Sequence, residues 1–314
     1  LPGTKRVFTA RDDEHGWFYH IEDIYRTTGN PWIKDWYTFL GEFRLGEVLE
    51  KVNYPYIYGR GWGHSFAALL SAYRVVGNSY FLTALRFGVQ RAPLKINQTL
   101  GESTSGFQTG YVTQPIMDFT DEIPKTDPDY WMAWLSVAAR AEGNYSWGHY
   151  AYFCTTRDSL ITPCKSSLTS ASQPDVAAWY YWQTGKKYIW DEANKYINAG
   201  INGGERSSYY RFGPYEGRWE SWEYSTVKNA LSSRTDWTPP VKITDAAASL
   251  SGSTVSVTFT TPSDADWVVA VASNNPISPV TTASTTFANW WGTRGITAAK
   301  ATPGARQTLT LPAR

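Results

Sequence analysis

The sequence predicts a chain of two parts, a tandem array of helical hairpins over residues 1–238 and a small β-sandwich over residues 239–314. Three observations predict it: a recurring helix-end signature, apolar stripes at helical spacing, and an abrupt change of composition at Pro239-Pro240. The signature reads Tyr25-Arg26-Thr27-Thr28-Gly29-Asn30, Tyr73-Arg74-Val75-Val76-Gly77-Asn78, Ala139-Arg140-Ala141-Glu142-Gly143-Asn144 and, more loosely, Tyr181-Trp182-Gln183-Thr184-Gly185-Lys186. Glycine takes the left-handed conformation that closes a helix. An amphipathic stretch resumes shortly after each one, so every unit reads as a helical hairpin. The stripes are Trp17, Ile21, Ile24 and Tyr25; Trp36, Phe39, Leu40 and Phe43; Phe66, Leu69, Leu70 and Tyr73; and Trp131, Trp134, Leu135 and Ala138. Their spacing predicts mostly core positions. Such hairpins cannot bury their faces singly, so they stack into a solenoid or close into a toroid.

Beyond the stiff Pro239-Pro240 linker, residues alternate with period two in Thr254-Val255-Ser256-Val257-Thr258-Phe259-Thr260. Trp267-Val268-Val269-Ala270-Val271-Ala272 predicts a second strand, and Arg306-Gln307-Thr308-Leu309-Thr310-Leu311 the last. About five strands are visible, where an immunoglobulin-like or fibronectin-like sandwich needs about seven. The four hairpins likewise fall short of a closed toroid. Both parts therefore read as incomplete, and the chain as a fragment or one of several segments of a larger protein.

No apolar run approaches the ~20 residues of a membrane-spanning helix. A formal net charge of +1, from 29 basic and 28 acidic residues, gives no bulk attraction for nucleic acid or anionic membrane. The deviation is aromatic: 16 Trp and 21 Tyr exceed what a core of this size requires, so some rings are expected on the surface. Cys154 and Cys164 flank a Thr-Pro turn, spaced for a local disulfide or present as two buried thiols. The sequons Asn97-Gln98-Thr99 and Asn144-Tyr145-Ser146 point to the same oxidising, secreted setting. No signal peptide precedes Leu1, so one has been removed or residues are missing upstream.

Three segments could carry chemistry. In Asp12-Asp13-Glu14-His15, followed by Gly16-Trp17-Phe18-Tyr19-His20, the carboxylates either cap a helix or fix the tautomer of an imidazole. Tyr58-Gly59-Arg60-Gly61-Trp62-Gly63-His64-Ser65 predicts a glycine-rich turn entering a helix, with Arg60 able to pair with a carboxylate. The bland alternative is a structural turn with a capping histidine. The third segment, Tyr209 to Glu220, mixes Tyr210, Trp219, Arg211, Arg218, Glu216 and Glu220; it suits an acidic sugar chain or simply packs on the sandwich. His149 repeats the Trp-Gly-His of the second segment. No metal signature is present, and the one cofactor the residues admit is calcium at Asp12, Asp13 or Glu14.

The segments Asp12 to Asn30 and Trp62 to Ser65 resemble the helical-toroid domain of exo-rhamnogalacturonan lyases and related polysaccharide lyases. The tail from Trp267, with Thr286-Phe287-Ala288-Asn289-Trp290 and Pro303 to Thr310, resembles the fibronectin-type modules attached to such proteins. The resemblance implies an (α/α) toroid followed by a fibronectin-like sandwich, and β-elimination at a uronic acid of a pectic polysaccharide. That chemistry needs a carboxylate neutraliser, a base and an acid. The expected roles are Arg60 as neutraliser, His64 or His15 as base, and Tyr58, Tyr19 or Tyr210 as acid. Glu14, His20, Trp62, Arg211, Trp219 and Glu220 are expected to bind substrate, with Trp62 and Trp219 as stacking platforms. A glycoside hydrolase would instead pair Glu14 with Glu216 or Glu220. A non-catalytic carbohydrate-binding protein would need only the aromatic excess and the sandwich.

Overall fold

A computed structural model describes residues 19–51, 59–100, 106–146, 174–191, 241–273 and 293–312. The described residues form helices followed by two small antiparallel sheets. The helices are α1 (Tyr19–Thr28), α2 (Pro31–Lys51), α3 (Gly59–Val76), α4 (Ser79–Leu100), α5 (Gly106–Phe119), α6 (Pro128–Ser146) and α7 (Pro174–Thr184). A further helical segment begins at residue 187.

Three of the four predicted helix ends form. Gly29, Gly77 and Gly185 have φ of 64°, 77° and 76°. Their N–H groups donate to the carbonyls of Tyr25, Tyr73 and Tyr181 at 2.7, 2.8 and 2.6 Å, closing α1, α3 and α7. The residue after the glycine opens the next helix. Asn30 Oδ1 accepts from the Trp32 N–H, and Asn78 Oδ1 from the Tyr80 N–H, each at 3.0 Å. The fourth end is corrected: Gly143 lies inside α6, which continues to Ser146. Val137, Ala138 and Ala141 bury that part of α6 in the core, which outweighs the ~1 kcal/mol cost of a helical glycine.

The centre of the array is α3, whose residues from Trp62 to Ala72 are all buried. A helix apolar or small on every side must be enclosed. It contacts α1, α2, α4 and α5. Side-chain pairs set the directions. Glu22 lies beside both Ser71 of α3 and Tyr37 of α2, so α1, which folds back on α2 at Gly29, runs opposite to α2; Arg74 near the end of α3 meets Asp118 and Glu122 just at and beyond the end of α5. Ser65 meets Glu47 while Ala72 lies against Gly41, so α2 is antiparallel. The ends of α1, α3 and α5 therefore share one rim. Close approach depends on two glycines. A Cβ at Gly41 would collide with the Phe81 ring and come within 2.9 Å of Ala72, and one at Gly88 would sit 3.1 Å from Phe66.

The stripe predicted on α2 is corrected in part. Ile33, Tyr37, Leu40 and Val48 face the core, whereas Phe39 is 70 % and Phe43 41 % exposed. Both series have helical spacing, and only the neighbouring helices decide which is covered.

The strands are β1 (Ala247–Ser251), β2 (Thr254–Thr260), β3 (Trp267–Ser273), β4 (Thr293–Lys300) and β5 (Arg306–Pro312). They form a three-stranded sheet in the order β1-β2-β5 and a ribbon of β3 with β4. Phe259, Leu309 and Leu311 meet Val268 and Ala270 between the two. The opposite face of the ribbon, with Trp267, Val269, Ile296 and Ala298, packs on the helical core. Trp267 lies 5.6 Å from Trp131, which lies 5.9 Å from Trp134, which lies 6.1 Å from Trp179. Burial on both faces explains why β3 reads as an unbroken apolar run. Trp267→Ala is expected to cost about 2 kcal/mol and to split one calorimetric unfolding transition into two; a single transition at an unchanged midpoint would contradict the coupling.

A polar tie joins α4 to the start of α6. Arg86 pairs with Asp127 at 2.6 Å and Asp129 at 2.9 Å, and Asp127 Oδ1 accepts the Asp129 N–H at the helix N-terminus. Burial alone would raise the Asp127 pKa, but the bonds from Arg86 and the Asp129 N–H outweigh it and hold it below the usual range. A lowered pKa means stabilisation that is complete above the unfolded value of about 3.9 and lost as pH falls through the folded value. Asp127→Asn is expected to be about 1 kcal/mol less stable than the parent at neutral pH, with the difference shrinking in acid; urea titrations across pH test this.

Candidate functional site

Among the described residues, buried polar groups concentrate at the N-terminal end of α3, where the second candidate segment falls. The glycine-rich turn expected there is corrected, since residues from Gly59 onward already belong to α3. The flanking α2 and α4 enclose this end, and that packing outweighs the glycines' preference for turns. Tyr58 lies outside the described residues, and Arg60 is the second residue of the helix.

Arg44 and Glu47, one turn apart on α2, project toward α3 and form a buried ion pair, their side chains 5 % and 12 % exposed. Ser65 completes the group. Its hydroxyl lies 2.8 Å from Glu47 Oε2 and 2.9 Å from the Gly61 carbonyl, and it accepts from Arg44 Nη1 at 3.3 Å. With one proton to give, it donates best to the charged carboxylate. Arg44 also lies 5.3 Å from the centre of the Phe43 ring. His64 is buried beside Ser65.

Trp62 is 1 % exposed, its ring 5.0 Å from Phe66 and packed on Gly88. The stacking platform expected at Trp62 is therefore corrected to a core ring, because neither face is open to a ligand. Its Nε1–H is buried with no hydrogen-bond partner among the described residues.

A second buried group explains Arg26 and Arg74 of the repeat. Glu22 accepts from Ser71 at 2.7 Å and from Arg26 at 2.5 Å, and lies 4.0 Å from Arg74. Arg74 also donates to Glu122 at 2.6 Å and to the Asp118 carbonyl at 3.1 Å. Burial would lower the Arg74 pKa, but Glu122 and then Glu22 raise it, so its charge is secure. Tyr37 is pushed well above its ordinary range, chiefly by burial; its bond with Ser71 opposes this and the Glu22 charge adds to it.

Tyr19 and His20 are the first residues of α1. Since Glu22 is level with Ser71, Tyr19 is level with residue 68, about 12 Å along the axis from Arg60. The helix axes thus keep these two apart from Arg60, while Trp62 and His64 share its end of α3. Asp12, Asp13, Glu14, His15, His149, Tyr210, Arg211, Glu216, Trp219 and Glu220 lie outside the described residues, as do Cys154 and Cys164. Asn97 falls within α4 and Asn144 in the last turn of α6. Among the described residues no group of three or more metal-binding side chains occurs, and no helix is long and apolar enough to cross a membrane.

Sequence reasoning missed Glu22, Arg44 and Glu47. The signal was present: Glu22 with Arg26, and Arg44 with Glu47, have the four- and three-residue spacings of helical ion pairs. No family model matches the chain, and no curated protein or solved structure matches it.

Removing Glu47 would leave a buried guanidinium uncompensated. Glu47→Ala is expected to cost about 3 kcal/mol and Ser65→Ala about 1 kcal/mol, read as shifts of the urea midpoint at constant slope. A loss under 0.5 kcal/mol for Glu47→Ala, about the size of a surface pair, would show that the pair is not enclosed in solution.

Proposed function

We propose that the chain belongs to a secreted polysaccharide lyase that cleaves an acidic plant polysaccharide of the rhamnogalacturonan type. The observation that carries the reading is that Arg60 and His64 belong to the same end of α3 as the Arg44-Glu47-Ser65 network. The network braces the helix end on which the proposed reacting groups sit. Arg60 neutralises the uronate carboxylate, which acidifies the ring proton at C5. A base, His64 or His15, takes that proton while the C4–O bond breaks, and a tyrosine, Tyr58 or Tyr210, protonates the departing oxygen. The electron pair from C–H becomes the C4=C5 double bond of an unsaturated uronate. Glu14, His20, Arg211, Trp219 and Glu220 complete the substrate contacts in this reading, without a cofactor.

Fold features agree with it. The alternation of α1, α2 and α3, with α2 antiparallel to the other two, supports reading the helices as part of an (α/α) toroid. The orders β1-β2-β5 and β3-β4 support reading the two sheets as part of a fibronectin-like sandwich.

Incubation of the chain with rhamnogalacturonan or polygalacturonate tests the proposal. The expected product absorbs in the ultraviolet as a conjugated uronate, and Arg60→Ala lowers its rate by roughly 100-fold with circular dichroism unchanged. New reducing ends without that absorbance would replace the lyase by a glycoside hydrolase.

A further inference from the structure

The outer face of α2 carries a glycine that the packing of the described residues leaves unexplained. Gly41 and Gly88 each lie against a ring of a neighbouring helix, Phe81 and Phe66. Gly46 receives nothing. Among the described residues, a Cβ there would meet no atom within 4 Å, although the position lies inside a helix, where glycine is a poorer former than any residue but proline. Its neighbours on the same face are rings. Trp32, Phe39 and Gly46 follow one another at seven-residue steps, two helical turns each, and Phe43 stands one turn beyond Phe39. Trp32 is 67 %, Phe39 70 % and Phe43 41 % exposed. The stripe thus has a protruding ring at one end, a notch at the other and Phe39 midway between them.

We infer that this face joins two copies of the chain, α2 packing antiparallel to α2 of the second copy about a two-fold axis at Phe39. Trp32 and Gly46 stand equally far from Phe39, so the axis sets each Trp32 opposite Gly46 of the other copy and brings the two Phe39 rings together. Ring into glycine notch is the fit that Phe81 with Gly41 and Phe66 with Gly88 already show inside the molecule. Area points to the same occupant. At roughly 200 Å² for a whole aromatic side chain, the exposed fractions leave on the order of 350 Å² of ring surface on each copy. Roughly 60 % of such an interface is apolar, so the two copies bury about 1,200 Å² in total, the lower end for a specific pair. The dimer is therefore reversible. Asp35 and Glu42, both exposed, flank the stripe on one side. They are the wrong charge for an anionic bilayer surface, and a sugar chain stacking on the rings would gain nothing from Gly46. In the antiparallel pair Asp35 comes beside Glu42 of the other copy, so salt that screens this repulsion tightens the dimer. The inference requires no catalysis and does not depend on the lyase reading.

Sedimentation equilibrium of the full chain between about 1 and 100 μM tests it. The parent is expected to form a dimer and no larger species, since a two-fold contact closes on itself, and to associate more tightly at about 1 M salt. Phe39→Gln is expected to weaken association about tenfold or more with circular dichroism unchanged, since the ring is exposed. Gly46→Ala weakens it likewise, yet raises the thermal midpoint by a few degrees when both proteins are measured as monomers. A role of Gly46 in folding would not produce that combination. Arg60→Ala dimerises as the parent does while losing the unsaturated product, so failure of the lyase reading and failure of this one are separable. A parent that stays monomeric, a dimer that dissociates in salt, or either α2 variant associating as the parent does would each overturn the inference. A monomeric parent retarded by polygalacturonate, or sedimenting with phosphatidylcholine vesicles, would overturn it by assigning the face to a sugar chain or a bilayer.

Discussion

Enclosure of α3 on every side is the constraint from which the rest of the helical array follows. A helix with no solvent-facing stripe requires neighbours all round, and here they are α1, α2, α4 and α5. Small residues on α3 let those neighbours come close, and the partners answer with gaps of their own. Gly41 admits Phe81 and Ala72, and Gly88 admits Phe66. Close packing makes Gly41 intolerant of even one methyl group, while one at Gly88 would press on the Phe66 ring.

Enclosure also dictates the polar chemistry. Ser65 and Ser71 are carried into the interior by a helix that has no outer face, and each is satisfied by a carboxylate from an adjoining helix, Glu47 and Glu22. Those carboxylates in turn demand cations, supplied by Arg44, Arg26 and Arg74. The two networks thus arise from one cause at opposite ends of the same helix. They differ in what surrounds them: one adjoins the repeat turns, the other adjoins Arg60 and His64.

Among the described residues the aromatic side chains fall into three populations. Trp62, Tyr37 and Phe66 fill the core around α3. Trp131, Trp134, Trp179 and Trp267 form a chain of rings that joins the helices to the outer face of the β3-β4 ribbon. Trp32, Phe39 and Tyr80 remain on the surface. The ribbon is apolar on both faces because it is a layer between two cores, one shared with the three-stranded sheet and one with the helices.

Residues that act locally were legible in the sequence. Gly29, Gly77 and Gly185 were readable as helix ends because a left-handed residue is a local property, and the alternation from Thr254 to Thr260 announced its strand because period two is local as well. Gly143 was misread for the same reason, since the local signal was right in kind and tertiary burial of α6 overrode it. What only the tertiary structure decided was which of two helically spaced stripes on α2 faces inward, that Trp62 is core rather than platform, and that Glu22, Arg44 and Glu47 are interior. Spacing along a helix states which residues share a face; the identity of the helix opposite determines whether that face is covered.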